Sequence, residues 1–128
     1  MPSDSAPLGV LLLSGHHDRA HYAFVVASGA AALGRRVVLF ATNRGCLALR
    51  RDWSGLENAE RDAAIQGRGV AGLATLRNAC IELEVRLIAC EAGLRAEDLA
   101  AGDLLPEVEI AGIATFLEAV NTGQVITI

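Results

Sequence analysis

The sequence predicts an α/β protein, a three-layer α/β/α sandwich around a mostly parallel five-stranded sheet. Its apolar residues gather in short uninterrupted runs, which is the pattern of strands that are covered on both faces. These runs alternate with longer segments of helical periodicity, and the succession of strand, helix and strand favours right-handed parallel crossovers. With 128 residues, of which 52% are hydrophobic, the chain fits a single domain over residues 1–128.

The individual elements follow from this alternation. The apolar runs predict strands at residues 9–13, 36–41, 85–89, 108–111 and 124–128. Helical spacing predicts helices at residues 18–33, 70–82 and 112–120, with a short helical turn at 96–99. We expect an irregular lead at residues 1–7 and expect Asp18 to be the N-cap of the first helix. The order of the strands in the sheet does not follow from the sequence.

Two of the helices carry expectations about packing. The helix at 18–33 is apolar on nearly every side, so it needs the sheet on one side and another helix or a neighbouring subunit on the other. This pattern is a first indication of a homo-oligomer. In the helix at 112–120, the apolar residues expected to point inward are Ile113, Phe116, Leu117 and Val120.

The composition changes in residues 50–69, which are charged and lack a continuous apolar face. We predict that this segment is an exposed excursion, partly helical and mobile, with Trp53 as its anchor. Its simplest interpretation is a solvated loop. The alternative is a lid or a partner-docking surface, because long insertions in compact domains are often functional.

Composition and charge exclude several classes of function. Lys and Arg total 11 against 15 Asp and Glu, a formal net charge of −4, which disfavours nucleic acid as a partner. Residues 1–7 carry an acidic residue rather than a basic region, and the apolar run at 8–13 is too short for a signal core or a membrane span. We therefore expect a cytoplasmic protein that does not associate with membranes.

The sequence also gives no indication of a cofactor or a metal. The glycines fit neither GxGxxG nor GxxxxGK[ST], which disfavours a nucleotide site. The 3 cysteines are an odd number without CxxC spacing, so neither a disulfide framework nor a cysteine-rich zinc site is indicated. His17 and His21 stand four residues apart, as a metal pair on a helix would, but no third ligand is adjacent, so we expect no metal site.

Cys90 is the candidate reactive residue, because it follows the last apolar residue of the strand at 85–89. Ligands bind at the carboxyl ends of parallel strands, and a thiolate at this edge can act as a nucleophile. Backbone N–H groups of the turn at Ala92 and Gly93 could stabilise that anion, whereas the carboxylate of Glu91 opposes it. The alternative is that Cys90 is a buried small hydrophobic residue.

Other loops should meet Cys90 at the same edge of the sheet. The residues expected there are His16, His17, Asn43, Arg44, Gly45, Cys46 and Gly112. An imidazole or the guanidinium of Arg44 or Arg95 could stabilise a thiolate, and His16 or His17 could orient an anionic ligand. Cys46 is either a second thiol of the site or a structural residue, and the spacing of Cys80 makes it a core residue.

The stretch SGHHDRAHYAFVVASGAAALGRRVVLFATNRGCLALRR at 14–51 resembles the opening of the DsrE/DsrF-like sulfur-relay family, especially its stand-alone members. VRLIAC and the later EVEIAGIATFLEAV are similar to the cysteine strand and a following segment of the same family. The resemblance implies a DsrE/F-like fold and a sulfurtransferase-like role in which Cys90 accepts sulfane sulfur as a persulfide. It also implies trimers or hexamers and transfer to rhodanese-like or TusA-like partner proteins.

These considerations give Cys90 as the candidate catalytic residue, with the supporting set His16, His17, Asn43, Arg44, Cys46 and Gly93. Two departures from the family pattern concern this site. A methionine-rich turn is common after the family's cysteine, whereas this chain has Glu91, Ala92 and Gly93 there. An aromatic tripeptide is common in the family at the position of Asn43-Arg44-Gly45. Two alternatives remain: an oligomeric binding module in which Cys90 is structural, and a redox sensor that pairs Cys90 with Cys46, which requires their Cα atoms to lie within about 7 Å.

Overall fold

The computed structural model describes residues 6–128; of the irregular lead expected at 1–7, residues 1–5 lie outside the described part. It confirms the predicted α/β class. The strands are β1 Leu8–Leu12, β2 Val37–Ala41, β3 Arg86–Cys90, β4 Glu109–Ala111 and β5 Gln124–Thr127. The α-helices are α1 His17–Ala32, α2 Arg61–Gln66, α3 Leu73–Glu82, α4 Glu91–Ala96 and α5 Ile113–Val120, and a 3₁₀ helix spans Asn43–Leu49.

The five strands form one sheet in the order β4-β3-β2-β1-β5, and every strand pairing in it is parallel. From β1 to β4 the chain steps across the sheet in one direction, and it then returns to place β5 beside β1. Because parallel crossovers are right-handed, a reversal of direction moves the connecting helix to the opposite face. The topology therefore explains why α5 lies apart from the other helices.

The two faces of the sheet have separate cores. The larger core joins β1, β2 and β3 to α1 and α3, and the smaller one lies under α5. In the smaller core the rings of Phe40 and Phe116 lie 5.2 Å apart. Helix α5 approaches β1 so closely at Gly9 that an added Cβ would lie 2.5 Å from Val120 and 2.8 Å from Phe116. A residue without a side chain is needed there.

Helix α1 receives its cover from the same chain, because it packs against α3 and α2 as well as against β1 and β2. The need for a second covering layer was predicted, but a neighbouring subunit is not required to supply it. The expected N-cap was wrong: His16 occupies that position without a capping side-chain bond, and Asp18 lies inside the first turn. A carboxylate in that turn still interacts favourably with the helix dipole.

Residues 50–69 are mostly exposed, as expected, but the segment is more than an exposed excursion. It contains α2 and places Leu56, Asp62 and Ile65 in the interior. Trp53 is half-buried against the larger core, with its ring 5.9 Å from that of His17. The segment therefore forms part of the covering layer over α1.

A buried polar cluster fastens this segment to α1. The carboxylate of Asp62 accepts hydrogen bonds from His17 Nε2 at 2.7 Å, the Leu73 backbone N–H at 2.9 Å and Gln66 Nε2 at 2.8 Å. Arg61 donates to His17 Nδ1 at 3.3 Å, so the imidazole carries its proton on Nε2. Burial of Asp62 opposes its ionisation, but these hydrogen bonds outweigh that effect and hold its pKa below the ordinary value.

Several sequence-based details differ from the structure. The helical turn expected at 96–99 is preceded by a full helix, α4, which begins directly after Cys90. On α5, Phe116 and Val120 point inward as expected, but Ile113 and Leu117 are 48% and 55% exposed. The reason is that α5 has the sheet on one side only, so half of its apolar residues face away from the core. Among residues 6–128, no helix combines the length and the apolar character that crossing a bilayer requires.

The cluster around Asp62 predicts a pH-dependent contribution to stability. Asp62→Ala leaves the buried His17 and Leu73 donors without an acceptor, so we expect the free energy of unfolding to fall by about 2–4 kcal/mol at pH 7. Asp62→Asn is the matched control, because its amide oxygen can still accept hydrogen bonds from both His17 and Leu73. Since the folded-state pKa is lowered, the contribution is full above the ordinary aspartate pKa of about 4 and is lost as the pH falls through the lowered value.

Urea denaturation of the wild type and both variants at pH 7 and pH 3 measures these differences. The difference in the free energy of unfolding between the wild type and Asp62→Ala should be smaller at pH 3 than at pH 7. An equal gap at both pH values would contradict the assignment of a stabilising charge to Asp62.

Candidate functional site

Cys90 is the last residue of β3 and at the same time the N-cap of α4. Its backbone is extended, with φ −67° and ψ 122°, so the chain turns directly from strand into helix at this residue. The Gly93 backbone N–H donates a hydrogen bond to Cys90 Sγ at 3.3 Å. The sulfur thus takes the place that the oxygen of a Ser or Asp side chain occupies at an ordinary N-cap.

This position gives the sulfur a favourable environment for negative charge. The first N–H groups of a helix have no partners within the helix, and the N-terminal end of the helix dipole is positive. The residue is 8% exposed, and its side chain points to the α5 face of the sheet with Phe40, Ile88 and Phe116. One side of the sulfur therefore meets a backbone donor and the other side meets apolar groups.

The close approach of Gly93 to the end of β2 fixes the start of α4. An added Cβ on Gly93 would lie 2.6 Å from the Asn43 backbone nitrogen and 2.7 Å from Thr42 Oγ1. Asn43 has a φ of 51°, a left-handed conformation that Asn tolerates better than most residues. The turn at residues 42–43 and α4 are therefore packed backbone to backbone beside the thiol.

Cys46 lies next to this site but differs from Cys90 chemically. It is fully buried in the 3₁₀ helix, and its Sγ donates to the Ala41 carbonyl at 3.4 Å. Burial raises the pKa of Cys46 to about 11; the Cys90 backbone N–H partly offsets this, and the charges of Cys90 and Glu97 add to it. At neutral pH Cys46 is a protonated thiol, which is a weak nucleophile.

The third cysteine, Cys80, has a structural environment. It is fully buried under α1, and burial alone raises its pKa to about 12. All of the cysteines are free thiols. Cys46 packs in the larger core and Cys90 in the smaller one. In the structure the two thiols are not bonded to each other.

Two ion pairs border the site. Arg44 Nη1 donates to Glu97 Oε1 at 3.3 Å and thereby links the 3₁₀ helix to the end of α4. Arg95 lies 3.8 Å from Glu91 on the outer side of α4. Glu97 was not among the predicted site residues, because its partner Arg44 is 53 positions away in the chain.

The two candidate histidines do not reach Cys90. His16 lies at the end of β1, with β2 between it and the cysteine strand, and pairs with Glu57 at 3.1 Å. The His17 ring is fully buried and bonded to Asp62. The structure therefore brings Asn43, Arg44, Cys46 and Gly93 to the cysteine, and Gly112 follows the strand residue paired with Cys90. It corrects the expectation for both histidines.

Within residues 6–128, no group of three His, Cys, Asp or Glu side chains has the arrangement needed to hold a metal ion. The rings of His17 and His21 are stacked 5.6 Å apart, but His21 Nε2 donates to the Ala71 carbonyl at 2.8 Å and His17 Nε2 is bonded to Asp62. Both imidazoles are therefore engaged in hydrogen bonds within the fold, His17 with Asp62 and His21 with Ala71.

The surface of residues 6–128 includes a larger and a smaller groove. The larger, about 360 Å³, lies at the opposite edge of the sheet and is lined by Arg36, Glu84 and Arg86 among others. The smaller, about 200 Å³, adjoins the site because Glu91, Leu94 and Arg95 of α4 line it together with Ile110. Of these two grooves, the smaller one lies beside Cys90.

Known proteins resemble this chain in sequence and in structure. It is 28% identical to the sulfur carrier protein DsrE2 of Allochromatium vinosum, over 92% of this chain and 94% of that protein. It is 24% identical to the uncharacterized protein YrkE of Bacillus subtilis, over 91% of this chain and 92% of that protein.

Two solved structures share the fold. The ychN protein of E. coli has a TM-score of 0.74 at 12% sequence identity, covering 97% of this chain and all of that one. MTH1491 of Methanobacterium thermoautotrophicum, a protein of unknown function, has a TM-score of 0.59 at 20% identity, again over 97% of this chain and all of that one. The model of one sequence family matches residues 52–127, which include β3, Cys90 and α5. The chain belongs to the DsrE/DsrF/DrsH-like family.

Proposed function

We propose that this protein carries sulfane sulfur as a persulfide on Cys90 and passes it to the thiol of a partner. The observation that carries the proposal is the position of Cys90 at the carboxyl end of a parallel strand, where the Gly93 N–H donates to its sulfur. The relative named as a sulfur carrier supports the same role. A sulfurtransferase-like carrier of this kind needs no cofactor.

The transfer is balanced without an oxidant. The Cys90 thiolate attacks the outer sulfur of a donor such as thiosulfate, a new S–S bond forms, and sulfite leaves with the electron pair of the broken S–S bond. An acceptor thiolate then attacks the outer sulfur of the persulfide and releases Cys90 as a thiolate. Because negative charge returns to Sγ in this second step, the donor hydrogen bond from Gly93 stabilises the leaving group.

Burial of Cys90 favours a second candidate function. The residue is only 8% exposed and packs beside Phe40 and Phe116, as a structural cysteine would. In that case the protein is a binding module that keeps the fold without sulfur chemistry. The two candidates differ in the reactivity of a single thiol.

The proposal implies partners at the carboxyl edge of the sheet. The partner classes it favours are rhodanese-like proteins and TusA-like carriers, which exchange sulfur between thiols in a reducing compartment such as the cytoplasm. A second copy of the chain is a further partner, because the outer side of α5 and the adjoining sheet residues expose Leu13, Ile113, Leu117 and Val125. Exposed apolar residues of this kind favour association into the proposed trimer or hexamer.

Mass spectrometry after incubation with thiosulfate tests the relay. The wild type should gain about 32 Da, the mass of one sulfur atom, because the reactive thiolate is the group that acquires it. Cys90→Ser should abolish the gain, whereas the control Cys80→Ala should retain it. A folded wild type that gains no mass and whose Cys90 resists iodoacetamide would establish the second candidate instead.

Gly93→Ala tests the role of the backbone donor. The added methyl cannot fit against residues 42–43, so α4 must shift and the N–H···S bond must lengthen. Since one hydrogen bond contributes about 0.5–1.5 kcal/mol, we expect the alkylation rate of Cys90 by iodoacetamide at pH 7 to fall about twofold to tenfold.

Gly102→Ala is the matched control for this variant, because nothing lies within 4 Å of its added Cβ. Its rate should equal that of the wild type. Equal alkylation rates for Gly93→Ala and Gly102→Ala would show that the Gly93 N–H has no influence on the reactivity of Cys90.

A further inference from the structure

We propose that Arg44 recognises the anionic group of the sulfur donor, and that Glu97 holds the Arg44 guanidinium at the rim of the site until the donor arrives. This inference rests on the proposed function, because it names the donor class for the same thiol. That class is a sulfane-sulfur compound with an anionic oxygen-bearing group, of which thiosulfate is the simplest example.

The backbone at Arg44 is held in place from two sides. It directly follows the turn at residues 42–43, against which Gly93 and the start of α4 are packed. On the other side, the loop after β1 approaches so closely that a Cβ added to Gly15 would lie 2.7 Å from Arg44 Cβ. The base of the side chain is therefore fixed relative to the segment that bears Cys90.

The guanidinium remains available for a ligand. In the described part of the chain its side-chain hydrogen bond goes to Glu97 Oε1 at 3.3 Å, and the side chain is 58% exposed. A guanidinium has five N–H donors in a planar fork, so a single contact leaves most of them free. That fork matches the oxygens of a planar or tetrahedral oxyanion better than an ammonium group does.

Arg44 also offsets the negative charges around the site. Glu97 is 24% exposed at the end of α4, and its charge contributes to the raised pKa of the Cys46 thiol. Glu91 adds another carboxylate next to Cys90 and has Arg95 as its partner. Without Arg44, an approaching anion would meet two carboxylates and one guanidinium.

The other cations expected at the site are engaged elsewhere. His16 is paired with Glu57, and His17 is sealed in the cluster with Asp62. Arg95 is 79% exposed on the outer side of α4, which is a more solvated position than that of Arg44. Arg44 is therefore the best-placed candidate for anion recognition among the side chains that the sequence suggested.

Two alkylating reagents of different charge measure this effect. Iodoacetate is anionic and iodoacetamide is neutral, and both transfer a carbon group to the thiolate with loss of iodide. The ratio of their rates at Cys90 therefore reports the charge that an incoming anion meets. In Arg44→Gln, we expect the ratio of iodoacetate to iodoacetamide to fall about twofold to fivefold at low salt, as for an exposed ion pair.

Glu97→Gln removes a negative charge instead of a positive one and should raise the ratio of the iodoacetate rate to the iodoacetamide rate. The matched control is Arg68→Gln, which removes the same charge from the exposed turn after α2. Both effects at the site should shrink at high salt, because exposed charges are screened. A structural disturbance of Cys90 would change both rates together and leave the ratio unchanged.

The outcomes separate this inference from the proposed function. If Cys90 is alkylated but Arg44→Gln has the same ratio as Arg68→Gln, anion recognition by Arg44 is overturned and the relay is not. If neither reagent reaches Cys90 in the wild type, the relay itself fails and the inference fails with it. A lowered ratio in Arg44→Gln without any persulfide from thiosulfate would support anion recognition and overturn only the sulfur chemistry.

Discussion

The contact between Gly93 and the turn at residues 42–43 is the constraint on which the site depends. It brings the first turn of α4 against the end of β2 with no space for a side chain. Because α4 begins at that contact, the Gly93 N–H points at Cys90 Sγ rather than into solvent. A helix start, a strand end and a thiol therefore meet at one residue, and sequence-distant segments hold them there.

The asymmetry of the sheet gives the site its second property. Right-handed crossovers gather α1 and α3 on one face, and the return of the chain to β5 leaves α5 alone on the other. Cys90 points to the sparsely covered face, whereas Cys46 points into the thick one. The same topology thus places the Cys90 thiol near the surface and buries the Cys46 thiol, which burial keeps protonated.

Electrostatics in this protein serves two separate purposes. In the cluster of His17, Asp62 and Arg61, each group is buried or partly buried and bonded, so the cluster fastens residues 50–69 onto α1. At the rim, Arg44 and Glu97 form a partly exposed pair that water and ligands can reach. The buried cluster around Asp62 contributes to stability, and the exposed pair of Arg44 and Glu97 is available for recognition.

The sequence by itself determined the fold class, the position of every strand to within one or two residues, and the placement of Cys90 at a strand end. These follow from local patterns, since apolar runs and helical spacing are properties of neighbouring residues. The resemblance carried by 14–51 and by the segments around Cys90 identified the family, which the match at residues 52–127 confirmed.

Only the tertiary structure decided which loops meet. The histidines and Cys90 follow different strands of one sheet, and a sequence without a strand order cannot tell which strands are adjacent. The structure placed His16 with Glu57 and His17 with Asp62, and it placed Glu97 with Arg44. The exposure of Ile113 and Leu117 was decided in the same way, because it depends on how many layers cover α5. Contacts between distant segments are set by packing, and helical or strand periodicity carries no information about them.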